Sequence, residues 1–372
     1  MTKVSVVGGG NAGVFTALYI AWHGRDLNLE VDLIHNPKMP PEEVGQATLL
    51  FPPHILWEAL GFDWYDNPIN ATFKSGILYE GWGKVNDKVF HPFNPSTMAM
   101  HFCPATMQSY ILNSGIFKVI EGDVDPKDVD ADYVFDCRGK PKDFSDYNEL
   151  INPLNSVILS RKMGRNFELN YTRCVATPHG WTFVIPNHDS VSYGYLYNNK
   201  ITSKEEAENN MIDMFDVEVT KHNQFNNYVA KDIIVDDRIV LNGNRLFFIE
   251  PLESTALQSY LEIAESVVKS ITNPKIEIKN INNYFQGYVR KIQNFILWHY
   301  QFGSKYDTPF WDYARSMKFI DPTFDSIIRD CKNSNWYKIH RLVDDHSRDY
   351  GLWTPYTFKI WYDGMMKRVP IK

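Results

Sequence analysis

Apolar and polar positions along this chain follow two periods in turn. Val4 to Val7 is a short β-branched run, and "VFTALYIAWHG" after Gly13 has the apolar density of a buried helix. "LEVDLIHN" reads as a second strand that ends at His35. A loop with five prolines follows, "NPKMPPEEVGQATLLFPP", long enough to suggest a function of its own. Residues 54–61 predict a short helix, and residues 72–115 predict strands and turns, with "HPFNPS" (91–96) as a rigid loop. "ADYVFDCRG" (131–139) predicts a buried strand ending in glycine, and residues 155–198 alternate as strands do. "SKEEAENNMIDMF" opens a helix, with Ser203 and Glu206 spaced as a capping box. "RIVLNGNRLFFIEPLEST" reads as strand, turn, strand and helix start, and from about residue 284 the pattern is helical and aromatic. No internal repeat or low-complexity segment interrupts this order. It predicts an α/β fold: a Rossmann-like dinucleotide domain carrying an antiparallel sheet insert (1–270), then a helical C-terminal part (271–372).

Composition narrows the function. At 372 residues the chain is long enough for one large domain or two. The net charge is −7 and no basic tract stands out, so nucleic acid is not an expected partner. The 23 Phe, 21 Tyr and 10 Trp could line an aromatic pocket as well as a core. Cys103, Cys137, Cys174 and Cys331 form no CxxC pair and no zinc spacing, so no metal site is expected, and free thiols in a reducing cytoplasm are the simplest reading. The N-terminus carries glycines where a signal peptide needs its apolar stretch, and no run of about 18 apolar residues predicts a membrane span.

Gly8-x-Gly10-x-x-Gly13 sits between the first strand and the first helix, the context that gives this spacing its meaning. Gly8 permits the turn, Gly10 lets backbone approach a pyrophosphate, and Gly13 lets helix pack on strand. The second strand should then end in an acid to hold a ribose. It ends at His35, with Glu30 and Asp32 inside the strand.

"ATFKSGIL" (71–78) places Lys74 in an apolar strand. Taken alone this is a solvated strand lysine. Beside "GGGNAG" (8–13), "GWTFVIP" (180–186) and "EPLEST" (250–255), it acquires company. The set resembles the flavin-dependent halogenases of the tryptophan-halogenase type, which show GxGxxG, an isolated lysine, WxWxIP and a PLEST segment before a helix. "VGQAT" (44–48) is similar to the family's VGEAT flavin strap, with Gln46 in place of Glu. "FDCRG" (135–139) is similar to its DCSG, and "FILWHYQFGSKYDTPFW" (295–311) to its C-terminal signature. The resemblance runs from Gly8 to Trp311, and its compactness resembles small viral members of the family, as in a marine cyanophage.

The resemblance implies a two-component chemistry. A separate flavin reductase supplies FADH2, which forms a hydroperoxide with O2. Halide attacks it to give hypohalous acid, and a lysine delivers the oxidised halogen to an electron-rich arene. By matching positions, FAD would rest on Gly8, Gly10, Asn11, Ala12, Gly13, His35, Ala47 and Gly243. Lys74 would hold the oxidant, and Glu253 would polarise it or accept the arene's proton. Halide would sit on the amides of Thr255 and Ala256. His91 and Phe93 would line the substrate, while Trp181, Phe183 and Ile185 would keep it from the flavin.

Plainer readings exist for each: Glu253 as a helix N-terminal carboxylate, His91 as a loop histidine, Trp181 and Phe183 as core aromatics. Phe183 departs from the second Trp of WxWxIP, Ala256 from a Gly, and "NGNRLFF" (242–248) from a GNAAG-like loop. Elements that clamp the amino acid's carboxylate and amine are largely missing. The expected substrate is therefore a phenol or indole rather than free tryptophan, with bromide or iodide used at least as well as chloride. The competing functions are a flavin-dependent aromatic hydroxylase, which needs neither Lys74 nor the PLEST segment, and a flavin-binding protein without turnover. A dehydrogenase fits least, lacking the ribose acid. A homo-oligomer remains open.

Overall fold

The computed structural model describes residues 1–42, 44–93, 99–164, 170–273, 275–276, 278–318, 321–332 and 351–368. Part of "HPFNPS", residues 94–96, lies outside them.

The nucleotide domain is built on a six-stranded sheet. Strand Thr2–Val7 pairs in parallel with Leu29–His35 on one side and Tyr133–Asp136 on the other. Lys118–Glu121 and Ile239–Leu241 extend it in parallel, and Ile234–Val235 closes one edge antiparallel. Val4, Val6 and Val7 are buried, as central parallel strands covered on both faces require. Helix Asn11–Gly24 leaves this strand directly and packs against helix Ala256–Thr272. That contact joins the GxGxxG turn to the far end of "EPLEST".

A seven-stranded sheet forms the insert, in the order 219–224, 156–163, 190–197, 180–186, 172–177, 76–80 and 88–92. Its neighbours are antiparallel except Thr172–Thr177 beside Gly76–Glu80, which run parallel with Cys174 opposite Tyr79. A small third sheet pairs Gln46–Ala47 and Thr72–Lys74 with Ala99–Phe102. Lys74 is thus the last residue of a strand of the small sheet, and Gly76 begins the large one. Tyr147–Glu149, Tyr228–Ala230 and Phe247–Phe248 make a fourth sheet.

Two helices differ from expectation. Residues 72–115 contain a helix, Pro104–Leu112, besides strands and turns. Pro104 opens it and buries with Met107 and Ile111, a helical stripe too short to stand out in nine residues. The helix expected at 54–61 spans Phe51–Leu60, because Pro52 and Pro53 fall in its first turn, where proline is tolerated. Gly61 ends it with φ 65°. Ser203 and Glu206 form both halves of the expected capping box of helix Lys204–Phe215.

Helices Ile278–Gln301, Pro309–Ser316, Pro322–Lys332 and Pro355–Met366 follow among the described residues. They bring Trp311, Trp361 and Tyr300 against Trp82. Trp82, Trp181, Trp311, Trp361, Tyr79 and Tyr300 are among the largest fully buried side chains. Each such ring contributes roughly 1.5–3 kcal/mol by burial. Lys74 is also among the largest fully buried side chains, which raises the question of what holds its charge.

Candidate active site

Lys74 is 1% exposed. Its Nζ donates to the Thr48 carbonyl at 3.0 Å and to Ser254 Oγ at 2.9 Å. One bond ties it to the loop after Gln46–Ala47, the other to the segment before helix Ala256–Thr272. Ser254 reaches this position with φ 55°, a left-handed conformation that a serine rarely adopts. Nζ also lies 5.2 Å from the Phe93 ring. Burial pushes the Lys74 ammonium down from its ordinary 10.5 to about 7, against the opposing pull of Cys174 and Glu253. Near neutrality both the ammonium and the amine are therefore populated. The amine can keep both N–H bonds and still present a lone pair.

Glu253 is equally enclosed, but its partners differ. Tyr79 donates its hydroxyl to Oε1, His299 Nε2 lies 2.8 Å from the same oxygen, and the Trp353 indole N–H reaches Oε2 at 3.1 Å. Burial alone pushes the carboxyl up. The bond and charge of His299, with His91 and Tyr79, outweigh it and hold the carboxyl at about 2. No ion pair joins Glu253 to Lys74; they act on each other through space. Trp353 stacks on Phe295 at 4.1 Å, and Trp361 lies 4.0 Å from the His299 ring.

Three residues earlier, Glu250 shows the opposite balance. It accepts from Asn152 at 2.9 Å and from the Trp181 indole and the Tyr300 hydroxyl at 2.8 Å. No cation is among these partners, and burial pushes its carboxyl up to about 7 despite the three donors. Two carboxylates in one segment are thus separated in acidity, chiefly because Glu253 has His299 beside it and Glu250 has no cation.

The N-terminal turn is shaped for an anionic cofactor. Helix Asn11–Gly24 starts at Gly10 with no side-chain cap, so its first amides remain available. A Cβ on Gly10 would meet nothing within 4 Å, whereas one on Gly13 would fall 1.8 Å from the Gly8 carbonyl oxygen. Asn11 Oδ1 is buried without a partner, while its Nδ2 donates to Gln46 at 2.8 Å. Open space, free amides and an orphaned polar atom fit the pyrophosphate of a bound dinucleotide such as FAD. Gly243, with φ 66°, packs on Ala12, and His35 lies beneath Gly9. Ala47 continues the strap.

The tryptophan halogenase family model matches residues 3–116 and 124–354. The chain belongs to the tryptophan halogenase family. The match to the tryptophan 7-halogenase RebH of Lentzea aerocolonigenes is 24% identical and covers 52% of this chain and 39% of RebH. The chain therefore spans less than half the length of the curated relatives it matches. Among solved structures, MibH, a tryptophan 5-halogenase, aligns with a TM-score of 0.82 at 18% identity, over 99% of this chain and 86% of MibH. BrvH, a flavin-dependent halogenase from Brevundimonas sp., aligns at 0.79 and 17%, over 98% and 89%. The fold is that of the flavin-dependent halogenases.

Within this family member, the residues expected from the sequence fall into two groups. Gly8, Gly10, Asn11, Ala12, Gly13, His35 and Gly243 lie at the glycine turn, and Ala47 follows Gln46, which accepts from Asn11. Lys74, Glu253, His91, Phe93 and Trp181 gather in the aromatic interior. His91 is buried, its ring 6.1 Å from Phe93. Trp181, Phe183 and Ile185 share one face of strand Gly180–Pro186, with Trp181 and Phe183 rings 6.3 Å apart. Thr255 is buried and Ala256 exposed at a helix start that no side chain caps.

Sequence reasoning missed Tyr79, Glu250, His299 and Trp353. His299 lies inside the quoted signature, but a histidine before a tyrosine carries no role until the fold brings it to Glu253. No cluster among the described residues could hold a metal ion, and no helix among them is long and apolar enough to cross a membrane.

Proposed function

We propose that this chain is a two-component, FADH2-dependent halogenase that delivers oxidised halogen through Lys74 to an electron-rich arene. The observation that carries the reading is the buried Lys74 itself, held between Thr48 and Ser254 with its acidity brought to about 7. No structural need explains a charge there, since burial makes it costly. Reduced flavin, bound at the glycine turn and supplied by a separate reductase, provides with oxygen the power to oxidise halide to hypohalous acid.

The chain's own residues divide the remaining work. The helix-start amides of Thr255 and Ala256 hold halide. Lys74 takes up the oxidised halogen, as ammonium by donating a hydrogen bond to hypohalous acid, or as amine by attacking its halogen, so that an N–halogen bond replaces the O–halogen bond and hydroxide leaves with the amine's proton as water. Trp181, Phe183 and Ile185 separate the arene from the flavin, and Glu250 fixes the Trp181 ring through its indole N–H. His91 and Phe93 line the Lys74 side. Residues 1–270 carry the flavin in this reading, and residues 271–372 close the substrate side.

The substrate is an arene of the phenol or indole type. Bromide or iodide, being easier to oxidise than chloride, is used at least as well.

Incubation with FAD, a flavin reductase, NADH, oxygen, equal chloride, bromide and iodide, and a panel of phenols, indoles and anilines tests this. Mass spectrometry should show halogenated product that requires halide. Hydroxylated product independent of halide would replace the reading with an aromatic hydroxylase. Exclusive chlorination would overturn the halide assignment alone.

A further inference from the structure

The contact between Glu253 and His299 fixes where one proton sits. This inference rests on Glu253 belonging to the halogenation site proposed above. Both side chains are closed to solvent. His299 Nδ1 lies 2.7 Å from the Phe295 carbonyl oxygen, which can only accept, so Nδ1 carries a proton. Nε2 lies 2.8 Å from Glu253 Oε1. A bare nitrogen lone pair facing an ionised oxygen at that distance would be repulsive, so a second proton lies between them.

Its place follows from the other groups around the pair. Tyr79 donates to the same carboxylate oxygen and Trp353 donates to the other. A carboxylate with three donors is stabilised in its ionised form. The Trp361 ring lies 4.0 Å from the His299 ring at 33°, and an indole face favours a neighbouring cation. From strand Lys88–Pro92, His91 is the further titratable group acting on both members, and Lys74 acts on Glu253 and on His91. Tyr79 and Trp82, on the large sheet, face the imidazole with their rings.

We propose that His299 is a positioning residue that keeps Glu253 an ionised carboxylate, so that Glu253 acts as a fixed negative charge and not as the base that takes the arene's proton. Protonating Glu253 would leave an imidazolium buried beside a neutral carboxyl, an uncompensated interior charge. A fixed anion, by contrast, favours the cationic ring that forms when an arene accepts an electrophilic halogen, without reorganisation at that moment. The lowered pKa of the Glu253 carboxyl agrees with this arrangement.

Protein labelled with 15N-histidine reads the proton directly, and His299→Asn assigns the signals by their loss. The expected result near neutral pH is two protonated ring nitrogens on His299. A bare ring nitrogen on His299 near neutral pH would overturn the inference. Product formation against pH, with reductase in excess, gives the functional arm. Wild type should show no acid limb from Glu253 down to about pH 5, whereas His299→Asn should acquire one and lose on the order of 100-fold in kcat, with KM changed less. His299→Gln serves if the Asn variant does not fold. A variant that halogenates with the wild-type pH profile would sink the inference and leave the function standing. Wild type giving no halogenated product with any arene would sink the function, and the nitrogen signals alone would then decide the inference.

Discussion

Lys74 donates to Thr48 and Ser254 from a position almost closed to water, and the cost of that enclosure is measurable. Burial lowers its pKa from 10.5 to about 7 on folding. Between those values the unfolded chain holds the proton more firmly than the folded one, so this group's contribution to stability rises with pH across that window. Below about 7 the penalty is complete. Lys74→Met should therefore raise stability near pH 7 by about 1–4 kcal/mol, the bonds to Thr48 and Ser254 being lost in exchange. The gain should shrink towards pH 10. Thermal melts at about pH 7 and 9.5 check this, and a variant that melts lower than wild type at both would contradict it. Glu253 and Lys74 were legible in the sequence because each sits in a short motif. Their partners were not. His299 lies 46 residues from Glu253, Trp353 100 residues and Tyr79 174 residues, so only the fold could bring them together.

At the scale of elements, the glycine turn was the most legible part, because strand, turn and helix are contiguous and each glycine has a local reason. Two of those reasons separate cleanly. A methyl on Gly13 would strike the Gly8 carbonyl oxygen, whereas one on Gly10 would meet only open space. Gly13→Ala should destabilise the fold by several kcal/mol, on the order of a severe overpacking. Gly10→Ala should leave the melting temperature within a few degrees of wild type and weaken FAD binding instead. Fluorescence titration with FAD beside a melt of each variant distinguishes them; equal FAD affinity for Gly10→Ala and wild type would argue against a pyrophosphate at that turn. Helix Pro104–Leu112 was not legible, because nine residues with three buried positions resemble the strands around them. Helix Phe51–Leu60 was placed late, because its prolines read as loop.

At the scale of the whole molecule, two sheets meet at Ser75, and the chain passes from one to the other immediately after Lys74. The strap arrives from the small sheet, Trp181 from the large one, and Glu250 and Glu253 from the segment before helix Ala256–Thr272. Helix Ile278–Gln301 adds His299, and the region from residue 351 adds Trp353 and Trp361. The α/β class with its antiparallel insert and C-terminal helices could be read from the order of periods. The meeting of these segments around Lys74, Glu250 and Glu253 could not, since it depends on sheet order and on parallel pairing between Thr172–Thr177 and Gly76–Glu80. The most direct test compares wild type with Lys74→Met for halogenated product by mass spectrometry, with FAD binding and melting measured on the same samples. The prediction is a folded variant that binds FAD as wild type does and forms no halogenated product. Halogenation by Lys74→Met at the wild-type rate would contradict the account.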